Sequence, residues 1–370
     1  MLQRLVGGIA KKMMRKIIVF ILILTVSCTF LLLGCGHDDS IDYTEDVELA
    51  VEEVDEVEEE GEWEVEDEAD IWEDEAPGEI AEEAIPVEGI GIHGLISRVE
   101  HGDNTVYIFG SMHFGRSQWY PLHPVVEEAM RRSDAFAFET DITPEAQGTI
   151  ASEILEYMML DNTTLSEFLE EDVFNQMMEA VETYGVSYSS IRQFTPWVIG
   201  VFLAEIAYHR VGITSTYGID FYVMGFAQAH GLPILYLNPI EHEMNLAFNL
   251  TDEMQHYAAL GIESLEVTIE YVEMLVHAYE TQDIEQITAM VREGMVSGET
   301  PNPLEEYLID VIIIQRSIEF AQEIIRLLEQ TEEPTTFFVT MGIGHMVGDD
   351  YGNVFNYLLD AGFEVVPMWR

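Results

Sequence analysis

The sequence predicts an α/β fold: a mixed central sheet with flanking helices and a helical lobe inserted in the middle. Three observations predict it. Short apolar runs bounded by turn residues recur near both ends of a region that begins at about residue 89. Between them lies a long stretch with helical spacing and capping signals. The resulting order is β-β-α-β, many helices, β, more helices, then β-α-β, which fits one domain with a helical middle. No fixed repeat of about 20–50 residues occurs, so a solenoid is not indicated.

The elements follow in chain order. Strands at 94–100 and 105–109 flank His101-Gly102-Asp103-Asn104, residues that tolerate the left-handed conformations of a tight hairpin turn. A helix over 124–133 and a strand over 135–138 come next. Helices fill 145–230, with Thr164-Leu165-Ser166-Glu167 as a capping box. Tyr222, Phe226 and Ala229 keep helical spacing until Gly231 and Pro233 stop it. A buried strand over 233–237 precedes more helices over 241–330, broken near Gly261, Thr281 and 298–303. Strand 336–340, helix 350–361 and strand 363–367 close the chain, so the domain spans 89–370 with its helical insertion at about 145–330.

The residues before 89 have a different character. Five of the chain's 15 Lys and Arg lie before residue 17, and all 70 Asp and Glu lie after residue 36. Segment 17–33 is uncharged and mostly apolar. A basic stretch followed by an apolar one reads as a secretory signal over 1–34. Leu32-Leu33-Gly34-Cys35 resembles a bacterial lipobox, which makes Cys35 the lipid-carrying first residue of the mature chain; an uncleaved N-terminal anchor is the alternative. Cys28 follows a poorer match. Segment 35–88 holds 26 acidic residues and no Lys or Arg, so it repels itself and reads as a solvated tether. The chain is thus expected outside the cytoplasm, held to the membrane through its N-terminal lipid.

Charge and cysteine content exclude several functions. After residue 36 the chain carries ten arginines and no lysine, a surface that repels phosphate backbones and argues against nucleic acid. With no cysteine after Cys35, an internal disulfide or a cysteine-held metal in the folded part is ruled out. No G-x-S-x-G elbow is present, and His242-Glu243 lacks the second histidine of a zinc-protease helix.

The informative constellation lies at strand ends. Gly110-Ser111-Met112-His113 leaves the run 106–109, and Gly342-Ile343-Gly344-His345 leaves the run 337–340. In open α/β sheets ligands bind beyond the carboxyl ends of parallel strands. Strand 135–138 ends at Glu139, and strand 234–237 at Asn238. If these strands are parallel neighbours, two imidazoles, a carboxylate and an amide converge on one rim. Two histidines and a carboxylate suit a divalent transition metal, whose bound water becomes acidic enough to attack a carbonyl. A histidine that caps a helix or satisfies a carbonyl is the plain alternative for each motif alone. Arg316, after the apolar run 311–314, is either a surface side chain or a buried anion clamp.

At these residues the sequence resembles the TraB/GumN family. Tyr107 to Gly115, Trp119-Tyr120-Pro121-Leu122 and Ala137-Phe138-Glu139 match its opening motif, and Val339 to Gly348 its closing one. Thr195-Pro196-Trp197, Gly218-Ile219-Asp220 and Arg316 lie at its intermediate positions. The resemblance covers about residues 90–368. It implies a fold like the erythromycin esterase and ChaN-like group and, by likeness to the animal Tiki proteases, dependence on a divalent ion such as manganese, cobalt or zinc. It further implies that His113, His345 and Glu139 serve the metal, with Glu139 a ligand or base and Arg316 and Asp220 in support. The sequence departs from the family at Asn238, where glutamate is common, and at Ser317, where asparagine is usual.

Three functions are therefore expected. One is a surface-anchored metal-dependent hydrolase acting on peptides or small molecules. The second, motivated by an amide that cannot ionise at Asn238, is a non-catalytic lipoprotein that captures a peptide or small ligand. The third, which the ChaN likeness implies, is haem or iron handling. The helical lobe is where a homo-oligomer would form.

Overall fold

The chain reverses at Gly102, whose φ of +60° costs a residue without Cβ little. In this computed structural model, which describes residues 91–368 apart from 93, 296–299, 332 and 349–351, the turn joins β1 (Ile96–His101) to β2 (Asn104–Ser111). The expected hairpin pairs from Ile96 opposite Phe109 to His101 opposite Asn104. Asn104 is buried and ties the hairpin to distant chain. Its Nδ2 donates to the carbonyls of Leu328 and Thr331, 3.0 Å each, and its Oδ1 accepts from the Thr335 N–H at 2.9 Å.

Helix α1 (Pro124–Arg131) leads into β3 (Ala135–Phe138). Then come α2 (Pro144–Met158), α3 (Leu165–Phe168), α4 (Glu171–Glu182), α5 (Tyr188–Ile191), α6 (Pro196–Arg210) and α7 (Ile219–Ala229). The capping box expected at Thr164 and Glu167 starts α3. After β4 (Ile234–Tyr236) the chain forms α8 (Ile240–Phe248), α9 (Asp252–Gly261), α10 (Leu265–Thr281) and α11 (Ile284–Met295). A single segment then runs through α12 (Pro303–Tyr307), a π-helical stretch (Leu308–Gln315) and α13 (Arg316–Gln330). Strand β5 (Thr336–Gly342), α14 (Val354–Asp360) and β6 (Val365–Pro367) finish the domain.

The six strands form one mixed sheet in the order β4-β3-β5-β2-β1-β6. The inner strands β2, β5 and β3 run parallel, with β4 parallel on the outer side of β3. Their near-continuous burial explains why they read as unbroken apolar runs rather than as alternating ones. The two edge strands, β4 and β6, are three residues long and partly exposed, which limits the pairing surface they offer. Helix α13 packs on β1 and β2, and α7 on β3 and β5, while α9 and α10 each pack on α6 in the helical lobe. The expected insertion at about 145–330 is thus interrupted by β4, which belongs to the sheet. Rings of Phe109, Phe136 and Phe338 meet across neighbouring strands at 5.6–5.9 Å, distances at which aromatic pairs attract.

Among the described residues no helix is long and apolar enough to cross a membrane. The expected signal 1–34, Cys35 and the acidic segment 35–88 lie outside the described residues.

Candidate functional site

The carboxyl ends of the parallel strands lie side by side. Ser111, the last residue of β2, is in register with Gly342, the last of β5, and Phe138 of β3 with Thr340. His113, His345, Glu139 and Asn238 follow these ends, so the convergence expected from sequence is present at the rim where α/β sheets place their ligands.

Asp220 reaches His113 because two loops lie back to back. Gly115 and Thr214 exchange backbone hydrogen bonds at 2.9 Å, and Ile219 N–H donates to the Met112 carbonyl at 3.0 Å. A Cβ on Gly115 would stand 2.0 Å from the Tyr217 carbonyl oxygen, and one on Gly218 2.3 Å from that of His113. Only glycine permits this approach, and it sets the first turn of α7 over His113. There Asp220 Oδ2 lies 2.7 Å from His113 Nδ1, and Ser111 Oγ donates to Oδ1 at 2.8 Å. A carboxylate only accepts, so the histidine carries its proton on Nδ1 and keeps Nε2 free. Nε2 is buried and without a hydrogen-bond partner. Burial pulls the His113 pKa down, but the charge and hydrogen bond of Asp220 outweigh it and leave it raised.

The second group surrounds Arg316, which is 2 % exposed. Its Nη2 lies 2.8 Å from Glu139 Oε2 and 2.5 Å from Glu243 Oε2. Its Nη1 lies 3.3 Å from His345 Nε2, and Ser317 Oγ lies 3.0 Å from the other nitrogen of that ring. Of the two readings of Arg316 the buried clamp is the one present, with carboxylates of the chain itself in its grip. Burial alone would raise the Glu139 pKa. Arg316, the two imidazoles and the Gly342 N–H, which donates to Oε1 at 2.6 Å, bring it down to about 2. Burial and then the guanidinium lower His345 to about 3, so its imidazole is neutral. Glu243 moves the other way, raised by burial and by Glu139 despite Arg316.

The two groups meet at Gly342. A methyl carbon placed there would be 3.3 Å from Glu139 Oε1, 3.9 Å from His113 Nε2 and 4.0 Å from His345 Cδ2. All five expected site residues therefore belong to one buried cluster. Sequence reasoning missed three of its members. Ser111 orients Asp220. Glu243, set aside with the absent zinc-protease helix, shares Arg316 Nη2 with Glu139. Glu319 receives Asn238 Nδ2 at 3.1 Å and lies 3.0 Å from His242 Nε2, while the same amide nitrogen donates to Glu243 Oε1 at 2.7 Å. The signal for Glu243 was available: a helix beginning directly after strand 233–237 projects its first turn over the rim.

The donor types expected for a metal are here, but their arrangement differs from a shared coordination shell. Glu139 gives Oε2 to Arg316 and Oε1 to Gly342, and His345 has a partner at each nitrogen. Of the three expected ligand groups, His113 alone presents a buried atom without a partner. Among the described residues no group of three or more His, Cys, Asp or Glu is arranged to hold a metal ion. The residues as placed do not fit a three-ligand divalent centre: His345 Nε2 and Glu139 Oε1 approach each other to 4.0 Å, but each is already taken, by the Arg316 guanidinium and by the Gly342 N–H.

A model of the TraB/PrgY/gumN family matches residues 95–367, from one residue before β1 to the last residue of β6. The chain belongs to this family. Two relatives are the uncharacterized protein YbaP of Escherichia coli K12 and its counterpart in Shigella flexneri. Each is 21 % identical over 252 residues, spanning 67 % of this chain and 86 % of its own. No solved structure matches. The family match takes in both strand-end histidine motifs, Glu139, Asp220 and Arg316, so the whole cluster lies within the part of the chain that carries the family likeness.

Proposed function

We propose that this TraB/PrgY/gumN protein is a hydrolase that cleaves carbonyl-derived bonds, peptide amides foremost, with His113 as general base. The observation that carries this reading is the pair of environments on one imidazole: Nδ1 bound to a buried carboxylate, Nε2 buried and unpartnered. That combination orients a base and leaves it something to do. In the reaction, His113 Nε2 takes a proton from water as the water oxygen bonds to the substrate carbonyl carbon. Asp220 stabilises the imidazolium that forms. The developing oxyanion is drawn to the fixed positive charge of Arg316. When the carbon–nitrogen bond breaks, the proton on Nε2 passes to the leaving amine. The excess of acidic side chains disfavours anionic substrates and favours neutral or cationic ones. The lipobox at Cys35 supports a place at the outer face of the membrane.

The test is to incubate the full chain with a fluorogenic peptide library, beside His113→Ala and Asp220→Asn. Cleavage by the native protein is expected to fall by about a hundredfold or more in either variant. Cleavage that persists undiminished in His113→Ala, or none by the native protein on any peptide or ester probe, rejects the assignment.

Capture without turnover is the second reading, favoured by one observation: the charge of Arg316 is shared between Glu139 and Glu243 and so is largely compensated. Intact peptides recovered from the protein after equilibrium dialysis, with no cleavage products, would support it.

A further inference from the structure

We propose that Arg316 is the resident cation of this centre, seated among Glu139, Glu243 and His345 where the sequence leads one to expect a divalent metal ion. The seat has the composition of a metal site: two carboxylate oxygens at 2.8 and 2.5 Å from one nitrogen, and an imidazole nitrogen at 3.3 Å from another. Carboxylate and imidazole are the donors that first-row divalent ions take. Here the positive charge they neutralise is covalently part of the chain. A dication entering beside it would face a guanidinium in a buried, weakly screened environment, and the two charges repel. It would also have to take from Arg316 the carboxylates that make burying a charge tolerable.

The local structure holds the guanidinium in place. Arg316 is the first residue of α13, directly after the π-helical stretch Leu308–Gln315, so its backbone is fixed in the continuous helical segment. One turn on, the Phe320 ring lies under it at 5.1 Å, a geometry that attracts a cation. Ser317 holds His345 from the opposite nitrogen. Arginine remains protonated throughout the functional pH range. The centre therefore carries its own electrophilic charge, independent of metal supply and insensitive to chelators. The occupancy of the seat stands independently of the hydrolase reading; only the use made of the charge rests on it.

Calorimetric titration of the full chain with zinc, manganese and cobalt tests the proposal, with Glu139→Gln and His345→Gln alongside. The acidic segment 37–88 supplies weak sites common to all samples. The expected result is that native protein and both variants give the same isotherm. Arg316→Met is expected to gain one additional site, at least about tenfold tighter than any native one, which Arg316→Met/His345→Gln loses again. A native site of unit stoichiometry that disappears in Glu139→Gln or His345→Gln overturns the proposal, as does a folded Arg316→Met that gains no site. If Arg316→Met does not fold, the comparison of native protein with Glu139→Gln and His345→Gln decides alone. Binding of an ion at these residues together with peptide cleavage would refute the resident cation and spare the hydrolase. Absence of both would do the reverse.

Discussion

Ser317 Oγ lies 3.0 Å from His345 Nδ1, with both residues buried. Because Arg316 can only donate, Nε2 of this imidazole accepts and Nδ1–H points at the serine. The contact fits one neutral tautomer, while burial and then the neighbouring guanidinium hold the His345 pKa down at about 3.

This neutrality makes stability pH-dependent in a defined direction. His345 titrates near 6.5 when unfolded and near about 3 in the fold. Between those values the unfolded chain holds the extra proton, so stability falls as pH drops below 6.5, by about 1.4 kcal/mol per unit from this group. His113, with its raised pKa, acts above 6.5: its contribution is present below that value and is lost as pH rises through the folded pKa. Glu139, depressed to about 2, adds a loss below about 4.5. Urea denaturation from pH 4 to 9 is expected to show maximal stability near 6.5 from these groups. His345→Gln should flatten the acid side, and His113→Gln the basic side.

Removing the guanidinium leaves two buried carboxylates without their counter-charge. Arg316→Ala is expected to destabilise the fold by about 3–5 kcal/mol, the cost of breaking a buried pair from one side. Arg316→Lys keeps the charge but not the two-sided geometry and should lose less. Chemical denaturation of the three proteins at pH 6.5 measures the difference. Equal stability of native protein and Arg316→Ala would show that the cluster contributes nothing to folding.

Gly342→Ala separates chemistry from folding. The backbone there, with φ −55° and ψ 134°, accepts any residue. The added methyl would enter the space bounded by Glu139 Oε1, His113 Nε2 and His345 Cδ2. The expected outcome is peptide cleavage reduced by at least about tenfold with a denaturation midpoint close to native. A variant as active as the native protein would place the reacting atoms elsewhere.

The lipobox reading is tested apart from the domain. Cells expressing the native chain and given labelled palmitate should incorporate label, and Cys35→Ala should abolish it and release the protein to the soluble fraction. Label retained in Cys35→Ala would reassign the anchor.

Much of this centre was legible in the sequence because parallel strands buried on both faces read as unbroken apolar runs, and the residue beyond each run marks the rim. His113, Glu139 and His345 were found that way. Arg316 was marked by the apolar run before it as well as by family likeness. Asp220 came through that likeness, since nothing in local spacing links a helix start at 219 to a loop at 113. What joins them is the close passage of Gly115 and Gly218, a tertiary event. Glu243 was within reach, on the helix that starts directly after strand 233–237, but it was set aside with the absent zinc-protease helix. The partners of His345 were illegible, because the π-helical stretch before Arg316 alters which residues face inward. The short strand β4 could be read as a strand and as a parallel neighbour at the rim, but not as the partly exposed edge of the sheet.

Strand β5 fills the centre of the sheet, between β2 and β3, yet it is made some two hundred residues after them. Until its last residues leave the ribosome, β2 and β3 have no inner neighbour, Glu139 lacks the Gly342 N–H, and His345 does not exist to receive Arg316. Chain synthesis thus has to pass residue 345 before the chemistry can assemble. Fragments released by early termination carry His113 and Asp220 but no working centre.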